Sequence, residues 1–284
     1  MIGMKMRGRL GNQMFQYAFA CKAARTLKTS FFIDPYLDRF ELPKYFKLKS
    51  QSEWISFFSA CFYIIYKIVL KLTGKSIIQN LPEVGSETEY RRYALSSDNY
   101  ENNCIYNGYF QSEEYFKNIR EDILRIYRIK GKYEKLFENQ YGDFFRDKTI
   151  VLHVRRMDYL SSGNEELGGL DISLPYEYYR KALDMVADLD SYQVIFIGDD
   201  HRWIRDNFQQ KDNYFFLNNS PIIDFQLMMN ADIIIISNSS FAWWAAYLNE
   251  KKKTIYAPKY WLGHRIKREY PSGIHNPEWQ WIEC

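Results

Sequence analysis

The sequence predicts an α/β protein whose second half is a parallel sheet covered by helices on both faces. After residue 147, apolar strand segments alternate with helical segments, and the links between them are short. The central residues of the strand segments are continuously apolar, as in the four isoleucines of DIIIIS at 232–237. Strands buried on both faces have this composition, whereas half-exposed strands alternate between apolar and polar residues. The pattern is typical of a doubly wound sheet.

The elements of the second half follow in a regular order. The predicted strands are 148–154, 192–198, 213–218, 232–237 and 253–258. The predicted helices are 174–187, with Pro175 near its first turn, 199–208, 221–231 and 239–250.

The first half is less regular, but its beginning predicts one βαβ unit. A strand at 1–6 leads through a glycine-containing loop into a helix rich in alanine and aromatic residues, and a second strand follows at 30–34. A strand is predicted at 104–110. A helix is predicted at 112–129, with acidic residues in its first turn, where the helix dipole favours them. The rest of 35–110 shows no clear pattern.

We therefore predict two domains, 1–145 and 146–284, with the last residues of the chain packing back on the first domain. The length of 284 residues suits two compact halves. A net charge of +3 is too small to indicate a nucleic-acid partner. The 18% aromatic content is a mild pointer to carbohydrate or nucleotide binding, although an aromatic core would also explain it.

The cysteines and the N-terminus bear on location. The four cysteines are scattered and form no CxxC pair, so neither a disulfide framework nor a zinc site is predicted. The N-terminal sequence has no apolar signal region, which leads us to expect a cytoplasmic protein.

One segment, WISFFSACFYIIYKIVLKL at 54–72, is nearly all apolar and is interrupted only by Lys67 and Lys71. Its length approaches the ~20 residues that a membrane-spanning helix needs. Because it lies between two parts of one apparent enzyme, we favour a core-packing helix or a helix at the membrane surface on the cytoplasmic side. The two lysines would extend to water.

Three polar clusters directly follow predicted strands: HVRRMD at 153–158, GDD at 198–200 and SNSS at 237–240. In a doubly wound sheet the ligand lies beyond the carboxyl ends of the strands. Ser239 and Ser240 stand where a helix begins, and such a helix start binds phosphate; plain capping of the helix by serine is the alternative.

The arginine pair points to the same ligand chemistry. The guanidinium groups of Arg155 and Arg156 match phosphate oxygens in geometry and keep their charge. We expect one arginine to neutralise a leaving phosphate while the other pairs with Asp158. A surface ion-pair network is the alternative, and it fits poorly with the apolar strand that leads into the cluster. Together the arginines and serines predict a diphosphate site that needs no metal.

Two further signals are weak. The DLD motif at 188–190 matches the metal-binding pattern of some sugar transferases, but it precedes a strand, so a polar turn is the better interpretation. The N-terminal glycines do not form GxGxxG, so a dinucleotide dehydrogenase is not supported.

Five motifs in order resemble those of the α-1,2-fucosyltransferases, glycosyltransferase family 11. They are GRLGNQMFQYAF, HVRRMDY, IFIGDD, DFQLMMNADIIIISNSSFAWWAAYLN and YAPKYW, and they extend from about residue 7 to residue 262. The resemblance implies a GT-B-like fold of two Rossmann-like domains with parallel sheets and a cleft between them. It also implies inverting, metal-independent transfer of fucose from GDP-β-L-fucose to the 2-hydroxyl of a terminal β-galactoside, with no cofactor.

The same resemblance assigns residues. It implies that Arg155 contacts the diphosphate, with Arg156 and His153 as supports. Ser239, Ser240 and the adjacent Phe241 join the donor site. The implied guanine-recognising residue is Asp224, and the GNQ loop brings Asn12 to the reaction centre.

Some points stay open. Asp158 is the nearest motif carboxylate for a general base, with Glu165, Glu166 and Asp171 as alternatives, or it only orients a neighbour. The family pattern has glycine where this chain has Met157 and Arg9, which would strain a backbone that needed positive φ there. The resemblance implies a galactose-terminated oligosaccharide as acceptor, and whether it is free or lipid-linked stays open. Another donor or linkage, a non-catalytic nucleotide-sugar-binding protein, and a membrane protein built around 54–72 are the alternative interpretations.

Overall fold

The computed structural model describes residues 1–34, 40–48, 64–65, 68–69, 71–73, 83–84, 100–251 and 254–284. The chain forms two compact units. The first comprises Met1–Lys130 with Pro271–His275, and the second comprises Gly131–Tyr270 with Asn276–Cys284. Each unit is built on a parallel sheet, so the predicted α/β class with two parallel sheets is confirmed.

Within the described residues, the sheet of the first unit has four parallel strands in the order β2-β1-β4-β3. These are β1 (Ile2–Lys5), β2 (Phe31–Asp34), β3 (Glu83–Val84) and β4 (Ile105–Asn107). The predicted βαβ unit is present, since the helix α1 (Leu10–Thr26) connects β1 to β2. The sequence of α1 is apolar on most faces because it is covered on most faces; for example, Phe19 stacks on Phe110 with ring centroids 3.8 Å apart.

The single helix predicted at 112–129 was wrong. The structure has two 3₁₀ turns, Glu113–Tyr115 and Lys117–Ile119, and a short helix, α3 (Arg120–Ile126). The break falls at Phe116, which has φ −147° and is fully buried with its ring 6.0 Å from that of Phe15. Burial of this ring outweighs the local helix preference. One more short helix, α2 (Leu42–Tyr45), was not predicted.

The apolar segment 54–72 lies largely outside the described residues, as does most of 35–99. Within it, 64–65, 68–69 and 71–73 are helical. The side chains of Ile64, Ile65, Ile68 and Leu72 are more than half exposed. In the part of the chain that the structure describes, no helix combines the length and apolar character needed to cross a bilayer.

In the second unit, the described part of the chain forms a sheet of six parallel strands in the order β10-β9-β8-β5-β6-β7. They are β5 (Thr149–Val154), β6 (Gln193–Gly198), β7 (Tyr214–Phe216), β8 (Ile233–Ile235), β9 (Thr254–Pro258) and β10 (Gln280–Ile282). The first five match the predicted strands, and β10 was missed. From β5 the chain builds outward through β6 to β7, and then returns to β8 on the other side.

The helices of the second unit are α4 (Gly131–Tyr141), α5 (Tyr176–Asp184), α6 (His201–Asn207), α7 (Pro221–Asn230) and α8 (Ser240–Leu248). All but α4 match predicted helices, with each end within three residues of the prediction. The DLD motif lies in the 3₁₀ turn Leu189–Ser191 and the residue before it, as expected of a polar turn. The core packs the buried sides of α5 and α6 against β5 and β6.

The division between the units falls after Lys130, whereas the sequence suggested 145. Helix α4 belongs to the second unit because it packs on α7, where Gln226 Nε2 donates to the Tyr133 carbonyl at 3.2 Å. Residues near the C-terminus, Pro271–His275, belong to the first unit.

Candidate active site

The polar clusters predicted from the sequence lie together at the carboxyl ends of β6, β5 and β8. Strand β5 pairs with β6 on one side and with β8 on the other. The chain adds β6 and β7 on the first side and later β8 and β9 on the other, so the strand order reverses between β5 and β8. The space beyond the carboxyl ends of β5 and β8 is therefore a topological switch point. Ligands of open α/β sheets bind at such points. The strand order therefore places HVRRMD and SNSS beside each other at an opening of the sheet.

Arg155 lies just beyond β5 and is held by two carboxylates. Its Nη2 donates to Asp158 at 2.7 Å, and its Nη1 lies 3.0 Å from Oδ2 of Asp199, which follows β6. Its guanidinium is 5.5 Å from the ring centroid of Tyr159. The side chain is 19% exposed, so the group is fixed in orientation and still reaches solvent.

Arg156 has a different set of contacts. Its backbone N–H donates to Asp199 Oδ1 at 2.8 Å, its Nη1 donates to Ser173 at 3.2 Å, and its guanidinium lies 4.7 Å from the ring centroid of Trp203. Its Nε is 3.5 Å from Asp200. The sequence suggested that the arginine free of Asp158 would take the phosphate. The structure instead pairs Asp158 with Arg155, the arginine that the resemblance assigns to the diphosphate, because the 3₁₀ turn Asp158–Leu160 folds back over it.

His153 joins the two strand ends. It is 5% exposed, and its Nδ1 shares a hydrogen bond of 2.8 Å with Ser237 Oγ. Burial, aided by the nearby charge of Arg155, lowers the pKa of His153 to about 3. The ring is therefore neutral at physiological pH, and it lies 5.9 Å from the ring of Phe241. This geometry suits a support for the site better than a cationic phosphate ligand.

The start of α8 has features that favour the binding of an anion. Ser239 is the N-cap with extended backbone, yet its hydroxyl makes no capping hydrogen bond, and the first turn carries no acidic residue. Serine at this position ordinarily accepts from an amide of the first turn. The alternative considered from the sequence, capping of the helix by the Ser239 side chain, is therefore not observed. First-turn amides and the helix dipole favour a bound anion here.

Asp224 lies in the first turn of α7 and is 8% exposed. Asn219 Nδ2 donates to its Oδ1 at 3.1 Å. Burial raises the pKa of Asp224 to about 7, and the Asn219 hydrogen bond only partly offsets this. The adjacent Phe225 packs edge-on against Phe241 with centroids 5.2 Å apart, which connects the start of α7 to the start of α8.

Asn12 belongs to the first unit and is positioned there by its neighbours. It is the third residue of α1, and its Oδ1 accepts from Gln111 Nε2 at 2.7 Å. The preceding loop turns at Gly8, whose φ of +70° favours glycine and whose missing side chain leaves room for Asn12.

The alternative base residues lie in the loop after the HVRRMD motif. Glu165 and Glu166 are exposed. Asp171 accepts from Ser173 Oγ at 2.6 Å and pairs with Arg265 at 3.0 Å. Burial opposes these contacts, but they prevail and lower the pKa of Asp171.

The two departures from the family pattern cause no backbone strain. Met157 has φ −39° and Arg9 has φ −91°, both of which any residue adopts. The glycine that this region does require is Gly198, with φ +155°, where a Cβ would collide with the Val154 carbonyl.

The sequence identified the GDD cluster as a polar group after a strand but assigned no role to Asp199. It did not indicate that Asn219 contacts Asp224. The position of Asp199 after a strand adjacent to β5 was the available signal. No local pattern marks Asn219. Among the described residues, no three His, Cys, Asp or Glu side chains are grouped to hold a metal ion.

Comparison with known protein sequences gives three findings. The model of glycosyl transferase family 11 matches residues 1–283. An O-antigen biosynthesis glycosyltransferase of Escherichia coli is 31% identical, over 92% of this chain and 95% of that protein. The galactoside alpha-(1,2)-fucosyltransferase 2 of Sus scrofa is 25% identical, over 98% of this chain and 78% of its own.

A solved structure has the same fold. The crystal structure of POFUT1 in complex with GDP superposes with a TM-score of 0.50 at 10% identity, covering 90% of this chain and 97% of that one. The α/β fold of this chain therefore occurs in a solved structure.

Proposed function

The chain belongs to glycosyl transferase family 11, and we propose that this glycosyltransferase moves L-fucose from GDP-β-L-fucose to the 2-hydroxyl of a terminal β-galactoside. Transfer would proceed with inversion at the anomeric carbon and without a metal ion or cofactor. The name of the Sus scrofa relative supports both the sugar and the linkage. The name of the Escherichia coli relative supports a glycan acceptor of the O-antigen type.

The observation that carries this proposal is that β5, which leads into Arg155, pairs with β8, which leads into the start of α8. The hydrogen bond between His153 and Ser237 ties the end of β5 to the segment that leads into Ser239 and Ser240. A fixed guanidinium on one side and helix amides on the other both offer hydrogen-bond donors to a diphosphate.

The chemistry needs that setting because charge develops on the leaving group. The bond between the anomeric carbon and the diphosphate oxygen breaks with its electron pair going to GDP, through an oxocarbenium-like transition state. The acceptor 2-oxygen bonds to the opposite face of the carbon and its proton departs to a base or to water. Arg155 and α8 would stabilise the departing diphosphate, and electrostatic stabilisation of this kind commonly dominates catalysis.

The remaining residues take supporting parts in the proposal. Arg156 and His153 hold the strand ends, Phe241 packs between Phe225 and His153, and Asp224 accepts from the guanine base. Asn12 would act from the first unit. Asp158 would position Arg155, since the two side chains are in direct contact.

We propose in addition that the segment 54–72 lies at a membrane surface and brings the enzyme to a lipid-linked acceptor. The exposed apolar side chains of Ile64, Ile68 and Leu72 favour this over packing in a core.

The deciding experiment is transfer from GDP-fucose to a panel of Gal-β1,3 and Gal-β1,4 glycosides, with the linkage and anomeric configuration of the product determined by NMR. An α-1,2-linked product supports the proposal. Transfer from a UDP- or ADP-sugar in place of GDP-fucose, or a product fucosylated at another hydroxyl, would replace it with another donor or linkage.

A further inference from the structure

Asp224 is the last member of a chain of three hydrogen-bonded side chains. The hydroxyl of Tyr141, the last residue of α4, donates to Asn219 Oδ1 at 2.6 Å. Asn219 Nδ2 in turn donates to Asp224 Oδ1 at 3.1 Å. The three residues come from the end of α4, the loop after β7 and the first turn of α7, so only the fold brings them together.

This chain sets the orientation of the Asn219 amide. A side-chain amide can turn over and exchange its oxygen and nitrogen, and the turned form would present oxygen to the Asp224 carboxylate. The Tyr141 hydroxyl gives the amide oxygen a donor on the side away from Asp224. The amide nitrogen then stays directed at the carboxylate.

With the Asn219 amide in this orientation, one oxygen of the Asp224 carboxylate is not used by Asn219. Among the described residues, Asn219 is the one side chain that donates to the Asp224 carboxylate, and it uses Oδ1. Oδ2 is not committed to a described side chain. Guanine offers two adjacent donors, N1–H and the exocyclic N2 amino group, and a carboxylate whose rotation is fixed can accept both.

We propose that Tyr141 and Asn219 are positioning residues that fix the Asp224 carboxylate for guanine and so set the preference of the donor site for guanine over hypoxanthine. The proposal rests on the proposed function, in which Asp224 recognises the base of GDP-fucose. Hypoxanthine lacks the exocyclic amino group, so a carboxylate aligned for both donors would be left with one unmade hydrogen bond. A site built around buried polar groups discriminates strongly for this reason.

The contacts of Tyr141 and Asn219 show what holds the Asn219 side-chain amide in its orientation. Tyr141 is held by packing against Phe137 and Phe144, with centroids 6.2 Å and 5.8 Å away, so its hydroxyl is a fixed point. Asn219 lies in a loop and is half-buried. Without the tyrosine hydroxyl, the contact with Asp224 alone, among the described side-chain contacts of Asn219, would oppose the turned amide.

The test compares binding of GDP and inosine diphosphate to the full chain and to Tyr141→Phe and Asn219→Leu, by calorimetry at pH 8. For the wild type we expect GDP to bind the more tightly. For each variant we expect GDP affinity to fall about threefold to tenfold, as the loss of one net hydrogen bond implies, with little change for inosine diphosphate. The ratio of the two affinities therefore narrows.

The matched control is Tyr192→Phe, which removes a hydroxyl at the amino end of the same sheet, next to β6, and should leave both affinities unchanged. If either variant weakens both nucleotides equally, or leaves the ratio unchanged, Tyr141 and Asn219 have a structural role only and the inference fails while the proposed donor stands. If the wild type binds GDP no better than UDP, the donor assignment and the inference fail together.

Discussion

Nη1 of Arg155 lies 3.0 Å from Oδ2 of Asp199, a carboxylate that follows the neighbouring strand and whose other oxygen accepts the Arg156 N–H at 2.8 Å. One aspartate thus connects the ends of β5 and β6 and fixes the side chain of the first arginine and the backbone of the second. The orientation of Arg155, which we propose to bind the diphosphate, therefore depends on Asp199, a residue outside the arginine motif.

Two substitutions of Arg155 should distinguish the effect of its positive charge from the effect of its guanidinium geometry. We expect Arg155→Ala to lower kcat/KM for GDP-fucose by about 10²- to 10³-fold, the usual loss for one stabilising donor. Arg155→Lys should restore little, because an ammonium cannot contact Asp158, Asp199 and a phosphate at once. The measurement is steady-state transfer, with Arg180→Ala, from the exposed Arg180–Asp184 pair, as the control. Near wild-type transfer by Arg155→Ala would contradict the diphosphate assignment.

The two carboxylates beside Arg155 should act through it. We expect Asp158→Asn and Asp199→Asn each to lower kcat by about 10- to 100-fold, since small displacements of a catalytic group have effects of that size. In the Arg155→Ala background the Asp158→Asn change should then add almost nothing, because residues that act as a unit are not additive. The double-mutant cycle is read from kcat. A further large loss from Asp158→Asn in that background would make Asp158 a general base.

The sequence predicted the second unit well for a physical reason. In a parallel sheet covered on both faces, burial decides each strand, so a run of four isoleucines such as 233–236 has one interpretation, and β8 was predicted correctly. The edge strand β10, with Gln280 exposed and Trp281 half-buried, carries no such signal and was missed. The positions of the start of α8 and of the arginine motif, each after a strand, could be predicted once the strands themselves were predicted.

The contacts that complete the site were less accessible to sequence reasoning. Which arginine meets Asp158 depends on the 3₁₀ turn after Met157, and the role of Asp199 depends on the pairing of β5 with β6. The Tyr141–Asn219 contact joins residues 78 positions apart. Spacing along the chain contains none of these distances. The break at Phe116 is of the same kind, since packing against Phe15 overrides local propensity.

Met157 should tolerate the glycine of the family pattern. Its φ is −39° and its side chain is 60% exposed, so Met157→Gly relieves no strain and removes little packing. We expect transfer within about twofold of wild type and a melting temperature lower by about 1–3 °C, because glycine loses more backbone entropy on folding. The contrasting variant is Gly198→Ala, which should destabilise severely because its Cβ meets the Val154 carbonyl. A large gain in activity for Met157→Gly would show that the glycine matters for the loop.

Binding of GDP should depend on pH through Asp224. Its pKa is raised to about 7 by burial, so the carboxyl is largely protonated below pH 7 in the free protein and ionised above it. Only the carboxylate accepts from both guanine donors. GDP affinity should therefore rise with pH, by at most about tenfold per unit, and level off above pH 7.

The same raised pKa predicts an effect on stability. For a group whose folded-state pKa lies above its unfolded value, the stabilisation is present at low pH and is lost as the pH rises through about 7. At pH 8, ionised Asp224 thus opposes folding, and Asp224→Asn should melt no lower than the wild type while binding GDP at least tenfold more weakly and without the pH dependence. A lower melting temperature with unchanged GDP affinity would make Asp224 a purely structural residue.

The apolar helical residues of 64–72 should bind an anionic membrane surface. Ile68 and Leu72 are 52% and 78% exposed, and Lys71 on the same segment is also exposed, so apolar insertion and charge attraction act together. We expect the wild type to co-sediment with vesicles containing anionic lipid more than with neutral ones. Ile68→Glu and Leu72→Glu should each reduce the bound fraction several-fold. The control, Leu170→Glu, changes a leucine of similar exposure in the second unit and should bind as the wild type does. Equal loss in that control, or no binding of the wild type, would place the segment away from the membrane.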